Sequence, residues 1–383
     1  MFRIAASSLA ILSLAACSGQ PATPEPLADG SLVSEDGLKL VPLAEGLEFP
    51  WGLAELPDGS LLVTEREGRL RLITADGLVE APLTGLPDDI LVERQGGLLG
   101  IVLDPDFTTN RKLYLSYAKG PLETNTTAVI SATLSGDATA LSDVTEIFTA
   151  APRSTGFHFG SRLVFLPDGS LMISLGDGGR YMEESQDPQN LHGSIARVMP
   201  DGSVPADNPF TDGSGHPALW SYGHRNVQGM VYDATRDILY AHEHGPKGGD
   251  ELNVVEPGKN YGWPTITYGI NYDGSIITDQ TEAPGMEQPI VKWVPSIAPS
   301  GMALVQTEGF EDWKGDLLIG GMNGPAGVKL VRVALDDAGN VTGTEDLLED
   351  LNVAYRDVIS TPSGIYVATT DLDGFVYRVE KTD

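Results

Sequence analysis

Cysteine is almost absent: the chain has one, Cys17, in 383 residues. That excludes a disulfide framework and a Cys-rich metal site. Basic residues are scarce too. Only 24 Lys+Arg stand against 54 Asp+Glu, a formal charge of −30. So acidic a surface repels phosphate backbones and anionic lipid, which argues against a nucleic-acid partner and leaves cations and neutral or cationic partners in view. No apolar run is long enough to span a bilayer as a helix, and long segments with apolar residues at helical spacing are rare. What is plentiful is turn chemistry, with 45 Gly and 26 Pro, beside 41% hydrophobic residues, ample for a core.

The first residues read as an address. Arg3 is the one charge in residues 1–16 and precedes an uncharged run from Ile4 to Ala16, the length of a signal-peptide core and too short for a membrane span. The run ends Leu14-Ala15-Ala16-Cys17, which resembles the bacterial lipobox, where the cysteine is lipidated and becomes the new N-terminus. Four fitting positions favour this over an ordinary secretory signal with an incidental cysteine. Residues 17–36, Pro/Ala-rich over Ser18–Gly30, read as a flexible tether. The expected location is the periplasmic face of a bacterial membrane, outer membrane included, or the periplasm.

Residues 37–383 read as one repeated β unit. A turn of the Pro-Asp-Gly type followed by an apolar strand appears at Pro57–Val63 and Pro167–Ile173, with looser copies at Asn110–Tyr117, Asp233–Tyr240, Trp313–Ile319 and Thr361–Val367. Six strand–turn–strand units at unequal intervals predict an all-β, six-bladed β-propeller with variable loops. A length that alone suggests two or three domains thus resolves into one. The strand near Leu38–Leu43 is expected to pair with Gly374–Val379 and close the ring. The acidic stretch Glu345–Asp350 reads as a solvated loop.

Chemistry concentrates between the units. His158 precedes one strand of a hairpin whose return ends in Gly176-Asp177-Gly178-Gly179. A carboxylate there can accept from one ring nitrogen and leave the other as a general base. Turn capping by His158 and an Asx turn at Asp177 are the simpler alternatives. Arg225 and Asn226, in Gly223-His224-Arg225-Asn226, offer several donors to an anionic or carbonyl-rich ligand, with His224 read as structural. In His242-Glu243-His244-Gly245-Pro246 the Gly245 and Pro246 carbonyls suit a hard cation.

The ordered set His158-x-x-x-Arg162, Gly176-Asp177, Gly223-His224-Arg225-Asn226, Gly245-Pro246 and Asn260-Tyr261-Gly262-Trp263-Pro264 resembles the soluble PQQ-dependent aldose sugar dehydrogenases of bacteria, the glucose/sorbosone dehydrogenase family of six-bladed propellers. Gln95-Gly96-Gly97-Leu98-Leu99-Gly100 and Tyr268-Gly269-Ile270-Asn271-Tyr272 agree, and the resemblance runs from about Leu47 to the C-terminus. It implies oxidation of an aldose to its lactone with PQQ and Ca²⁺, electrons passing to a membrane quinone, a cytochrome or an artificial acceptor. By resemblance His158 is the base and Asp177 its orienter. Arg225 and Asn226 contact the quinone, with Gln95 and Tyr272 lining the pocket. Gly245 and Pro246 hold the bridging calcium, and Glu251 with the Tyr261 backbone a second one.

Gly321, Met322, Asn323 and Arg356 match the segments that meet the cofactor's carboxylates, with two departures. Asn323 stands where the family commonly has Lys, and Ala354-Tyr355-Arg356-Asp357 carries one Arg where it often has two. Lys329 and Lys247 are the candidates to compensate. A calcium-stabilised carbohydrate- or protein-binding propeller and a calcium-dependent lactonase are the competing functions.

Overall fold

A computed structural model describes residues 25–322 and 326–382. The signal segment, Cys17 and Asn323 lie outside the described residues. Five sheets of four antiparallel strands follow one another along the chain, with sequential strands in order across each, and a sixth sheet of five joins two early strands to the last three. Their first strands are Pro50–Glu55, Leu98–Leu103, Leu163–Phe165, Val227–Asp233, Pro299–Leu304 and Tyr355–Thr361. Each of these packs against its counterparts in the two neighbouring sheets, and they form a closed ring around a central axis. This is the expected six-bladed propeller.

Strand periodicity explains why the second strand of each blade is apolar on both faces. Successive side chains point to opposite faces, and every blade is sandwiched between two others. In Leu171–Leu175, Leu171, Ile173 and Leu175 pack toward the preceding blade, while Met172 packs toward the next. Leu317 and Ile319 face one neighbour and Leu318 the other. Among the described residues the core is thus divided into six apolar clusters each shared by two adjacent blades, with a seventh, smaller one around Trp51, Leu99 and Phe159.

All six repeated phrases fall on the same feature, the hairpin joining first and second strands of a blade. In the two closest copies the aspartate caps the turn identically: Asp58 Oδ1 accepts from the Ser60 amide and hydroxyl, and Asp168 Oδ1 from those of Ser170. The following glycines, Gly59 and Gly169, sit at φ of 85° and 82°, where a side chain is disfavoured. These turns occupy the end of the ring opposite His158 and Asp177.

Closure occurs where expected: Leu38–Leu47 pairs antiparallel with Gly374–Lys381, from Leu38 opposite Lys381 to Leu47 opposite Gly374. Two expectations need correction. Leu32–Val33 adds a fifth strand to that sheet, so order begins ahead of residue 37, where the tether was expected to end. Glu345–Asp350 is no solvated loop. It lies in the outer strand Val341–Leu347 and a 3-10 turn, Glu349–Leu351. There Asp346 and Glu349 pair with Lys329 at 2.6 and 3.1 Å, and Asp350 accepts from Ser34.

The axis is tied across. Arg162 of the third blade, largely shielded, meets the buried Asp357 of the sixth at 2.8 Å. Asp357 also accepts from the Leu53 amide at 2.8 Å, and Arg162 Nε donates to the Gln228 carbonyl at 2.9 Å. Four blades meet in this one cluster, which forms the floor beneath the site.

Candidate active site

The segment from His158 to Ser161 turns back sharply into its strand, with φ of 52° at His158, 63° at Gly160 and 80° at Ser161. A left-handed histidine costs energy and persists only where its surroundings over-determine it. They do so here. The His158 amide donates to Gln95 Oε1 at 2.8 Å, and its carbonyl accepts from Arg153 at 2.8 Å. Gly160 is held by Asn226 Oδ1 at 3.1 Å and by Gln228 Nε2 at 3.1 Å. Gly176 must be glycine: a Cβ would sit 2.1 Å from the His158 carbonyl oxygen and 2.8 Å from Asn226 Oδ1.

His158 Nδ1 lies 2.5 Å from Asp177 Oδ1. The carboxylate accepts also from the Gly179 amide at 2.7 Å and the Trp263 indole N–H at 2.9 Å. Burial raises the Asp177 carboxyl, but its hydrogen bond to His158 and the charges of His158 and Arg225 hold it below its ordinary value. Burial pushes the His158 imidazole below its ordinary 6.5, aided by the Arg225 and Arg153 charges and opposed by the Asp177 hydrogen bond. The ring is therefore neutral at physiological pH, with Nδ1–H given to Asp177 and Nε2 available as acceptor. Its side chain keeps 13% exposure, enough for a substrate to reach it.

Beside this pair, over the Arg162–Asp357 floor, lies a cavity of about 160 Å³ lined by Trp51, Arg66, Gln95, Asn226, Gln228 and Arg356, with Met322 and His244 at its edge. Arg356 and Arg162 each place a guanidinium 4.5 Å from the Trp51 ring centre. Arg356 donates to Gln228 Oε1 at 3.1 Å, while its Nε has no partner. Burial, and Arg162 and Arg66 alongside, push the Arg356 guanidinium down to about 9. Inside a protein of charge −30, the cavity is cationic. Such a site takes an anion.

A second, small cavity of about 10 Å³ adjoins it, lined by Arg225, Glu243, Gly245, Glu251, Tyr261 and Trp263 among others. Glu243 and Glu251 are direct cross-strand partners, a like-charge pairing that is unfavourable without a cation between or beside it. Burial and the Glu243 charge raise the Glu251 carboxyl to about 8. The Tyr261 carbonyl accepts no hydrogen bond among the described residues, nor does that of Pro246, which lies outside the lining, and the volume suits one ion. Oxygen donors of this kind fit Ca²⁺. The Gly245 carbonyl, expected to face a metal, instead accepts from Arg225 at 2.8 Å.

Most expected residues converge. Gln95, Asn226, Met322 and Arg356 line the first cavity, Arg225, Gly245, Glu251 and Tyr261 the small one, and His158 with Asp177 stands just outside the lining, next in the chain to Phe159 and Gly160, which are part of it. His224 is structural as expected, bonded to Glu243 at 2.7 Å and stacked on Tyr261. Tyr272 does not line the cavity and is 73% exposed. Gly321 is buried in the strand Leu317–Gly321 beneath it. Neither proposed compensating lysine serves: Lys329 is spent on Asp346 and Glu349, and Lys247 is exposed in its loop. Sequence reasoning missed Trp51, Arg66, Gln228 and the indole of Trp263 on Asp177.

Comparison with known proteins agrees with this geometry. Residues 47–378 match the family model described as glucose/sorbosone dehydrogenase. The chain is 41% identical over 344 residues to the aldose sugar dehydrogenase YliI of Escherichia coli, covering 88% of this chain and 91% of that protein. Among solved structures, the apo-form of the soluble aldose sugar dehydrogenase from Escherichia coli superposes with a TM-score of 0.84 at 37% identity, covering 90% of this chain and 99% of that one. The PQQ-bound aldose sugar dehydrogenase of Streptomyces coelicolor gives 0.75 at 28% identity, over 94% and 99%. A ring of six blades, a histidine held by a buried aspartate and a cationic cavity beside them thus coincide with a family match over almost the whole propeller, and the chain belongs to the glucose/sorbosone dehydrogenase family of oxidoreductases.

Proposed function

We propose that the protein oxidises an aldose at its anomeric carbon to the lactone, using PQQ and Ca²⁺, and hands the electrons to a membrane quinone, a cytochrome or an artificial acceptor. The observation that carries this reading is the juxtaposition of a neutral histidine, fixed by a buried aspartate, with a cavity into which Arg66 and Arg356 each bring a guanidinium whose buried Nε has no acceptor among the described residues. A binding module has no use for a base held in strained backbone.

His158 Nε2 takes the proton of the anomeric hydroxyl, and the hydride leaves from the same carbon, so that one C–H and one O–H bond break as the lactone carbonyl forms. Asp177 holds the Nδ1–H tautomer and stabilises the imidazolium that results. Asn226 turns its oxygen to the Gly160 amide, which leaves its N–H₂ group to the cavity. Arg225 lines the small cavity and donates to the carbonyl of His244, which lines both, and its positive charge there favours electron density arriving on a ligand oxygen. Asn226, Gln95, Arg225 and Arg356 would hold PQQ, the Pro246 carbonyl would hold the calcium beside it, and Glu251 with the Tyr261 carbonyl would hold a second calcium. When bound, PQQ supplies the hydride acceptor and Ca²⁺ withdraws charge from its oxygens. The location proposed is the periplasm, with lipid at Cys17 as the anchor.

The test is reduction of an artificial acceptor by purified protein supplied with PQQ, Ca²⁺ and a panel of aldoses. Activity is expected with at least one aldose and is lost in His158→Ala while PQQ binding persists. Undiminished activity in that variant would refute the base assignment, and no activity with any sugar despite bound PQQ would refute the dehydrogenase reading.

A further inference from the structure

Arg66 has no role in the reaction as described, yet its position is hard to explain by folding alone. It follows the second strand of the first blade, Leu61–Glu65, and reaches the cavity that Arg356 enters from the sixth. Among the described residues its guanidinium has no carboxylate partner and no hydrogen bond, and its Nε is buried without an acceptor. The neighbouring Glu65 is taken by Arg69 and Arg71. Arg66 is nonetheless braced. Its guanidinium carbon lies 4.7 Å from the Phe49 ring centre, and its backbone packs so closely on Gly97 that a Cβ there would come within 2.0 Å of the Arg66 carbonyl oxygen. A buried donor left unsatisfied is costly, more so on a charged group. Placing one beside Arg356 and Arg162, with Asp357 already bonded to Arg162, adds like-charge repulsion. An anion arriving from outside the chain would satisfy both the open donors and the crowded positive charge.

We infer that Arg66 is a cofactor-binding residue that pairs with Arg356 to clamp carboxylates of PQQ, supplying from the first blade a cation that Ala354 in the last blade does not. This rests on the PQQ reading proposed above. Planar guanidinium groups suit a rigid aromatic polycarboxylate, because each can engage a carboxylate through two parallel N–H donors. Arg356 stacks on Trp51 and Arg66 on Phe49, so each guanidinium of the clamp has its own aromatic support.

The experiment is equilibrium titration of calcium-loaded apoprotein with PQQ, followed by quenching of tryptophan fluorescence, on wild type, Arg66→Gln and Arg66→Lys. The apoprotein melting temperature of each is measured in parallel. The inference expects Kd to rise at least about tenfold in Arg66→Gln, roughly 1.4 kcal/mol, with partial recovery in Arg66→Lys. It also expects the apoprotein melting temperature to stay level or rise as repulsion is relieved. Wild type that binds PQQ while Arg66→Gln binds it equally well overturns the role of Arg66 and leaves the PQQ reading intact. Wild type that shows no saturable binding overturns both.

Discussion

Replacing Asp177 by Asn tests the base most directly, because it keeps the shape and removes the charge. Asp177 serves three donors: His158 Nδ1–H, the Gly179 amide and the Trp263 indole. An asparagine oxygen can keep the two donors on Oδ1, but its N–H₂ group then faces the indole N–H, donor against donor. One buried donor without an acceptor costs about 1–3 kcal/mol of stability. The charge-assisted bond to the developing imidazolium is worth about 1.5–3 kcal/mol, so kcat should fall roughly ten- to hundredfold. The acid side of the rate profile carries a further sign. Burial holds His158 below its ordinary 6.5 and the Asp177 hydrogen bond is what raises it. The rate should therefore decline only below pH 6.5 in wild type, and at lower pH still in Asp177→Asn. The assay is acceptor reduction at saturating PQQ and Ca²⁺ across pH 4.5 to 8, with thermal melts of the same samples. An Asn variant within about twofold of wild type in kcat, or one whose acid limb moves upward, would refute the orienting role.

Three further outcomes follow from the same geometry. Gly176→Ala would force a methyl to 2.1 Å from the His158 carbonyl; overpacking of this kind costs about 1–3 kcal/mol and displaces the base, so both melting temperature and kcat should drop, and a silent variant would contradict the packing. Chelating calcium should lower the wild-type melting temperature by about 3–5 °C, the effect of roughly 2.7 kcal/mol of bound-ligand stabilisation on a domain this large. Glu251→Gln, which removes the charge opposite Glu243, should melt at the same temperature with or without calcium. Asp357→Leu alone should cost about 3–5 kcal/mol in urea unfolding by stranding Arg162, whereas adding Arg162→Met should recover much of the loss; additive effects would show that the pair is not coupled.

The repeat was legible because it rests on local chemistry. A Pro-Asp-Gly turn is written in consecutive residues, and all six copies proved to be the same hairpin. The base pair was legible for the same reason, since His158 and Asp177 sit at one end of one hairpin. Arg66 was not. In Glu65-Arg66-Glu67-Gly68 it reads as a solvated charged turn, and only closure of the ring brings it to Arg356. Trp263 shows the same limit: its indole meets Asp177 from 86 residues away. The Glu345–Asp350 stretch misled because acidity was taken for solvation, whereas its carboxylates hold Lys329 and Arg332 against the outer strand.

Joining the first long strand to the last also sets the order of assembly. Blades one to five are built from segments contiguous in the chain, so each can form its hairpins as soon as its residues exist. The sixth cannot: Leu38–Leu47 must wait for Gly374–Lys381, a contact at nearly the largest sequence separation available, and such pairings are slow to form. Until then the early strand is an unprotected edge, open to pairing with another chain. Ring closure is thus the step at which folding commits, and the two ends of the chain are the place where its failure would appear as aggregation.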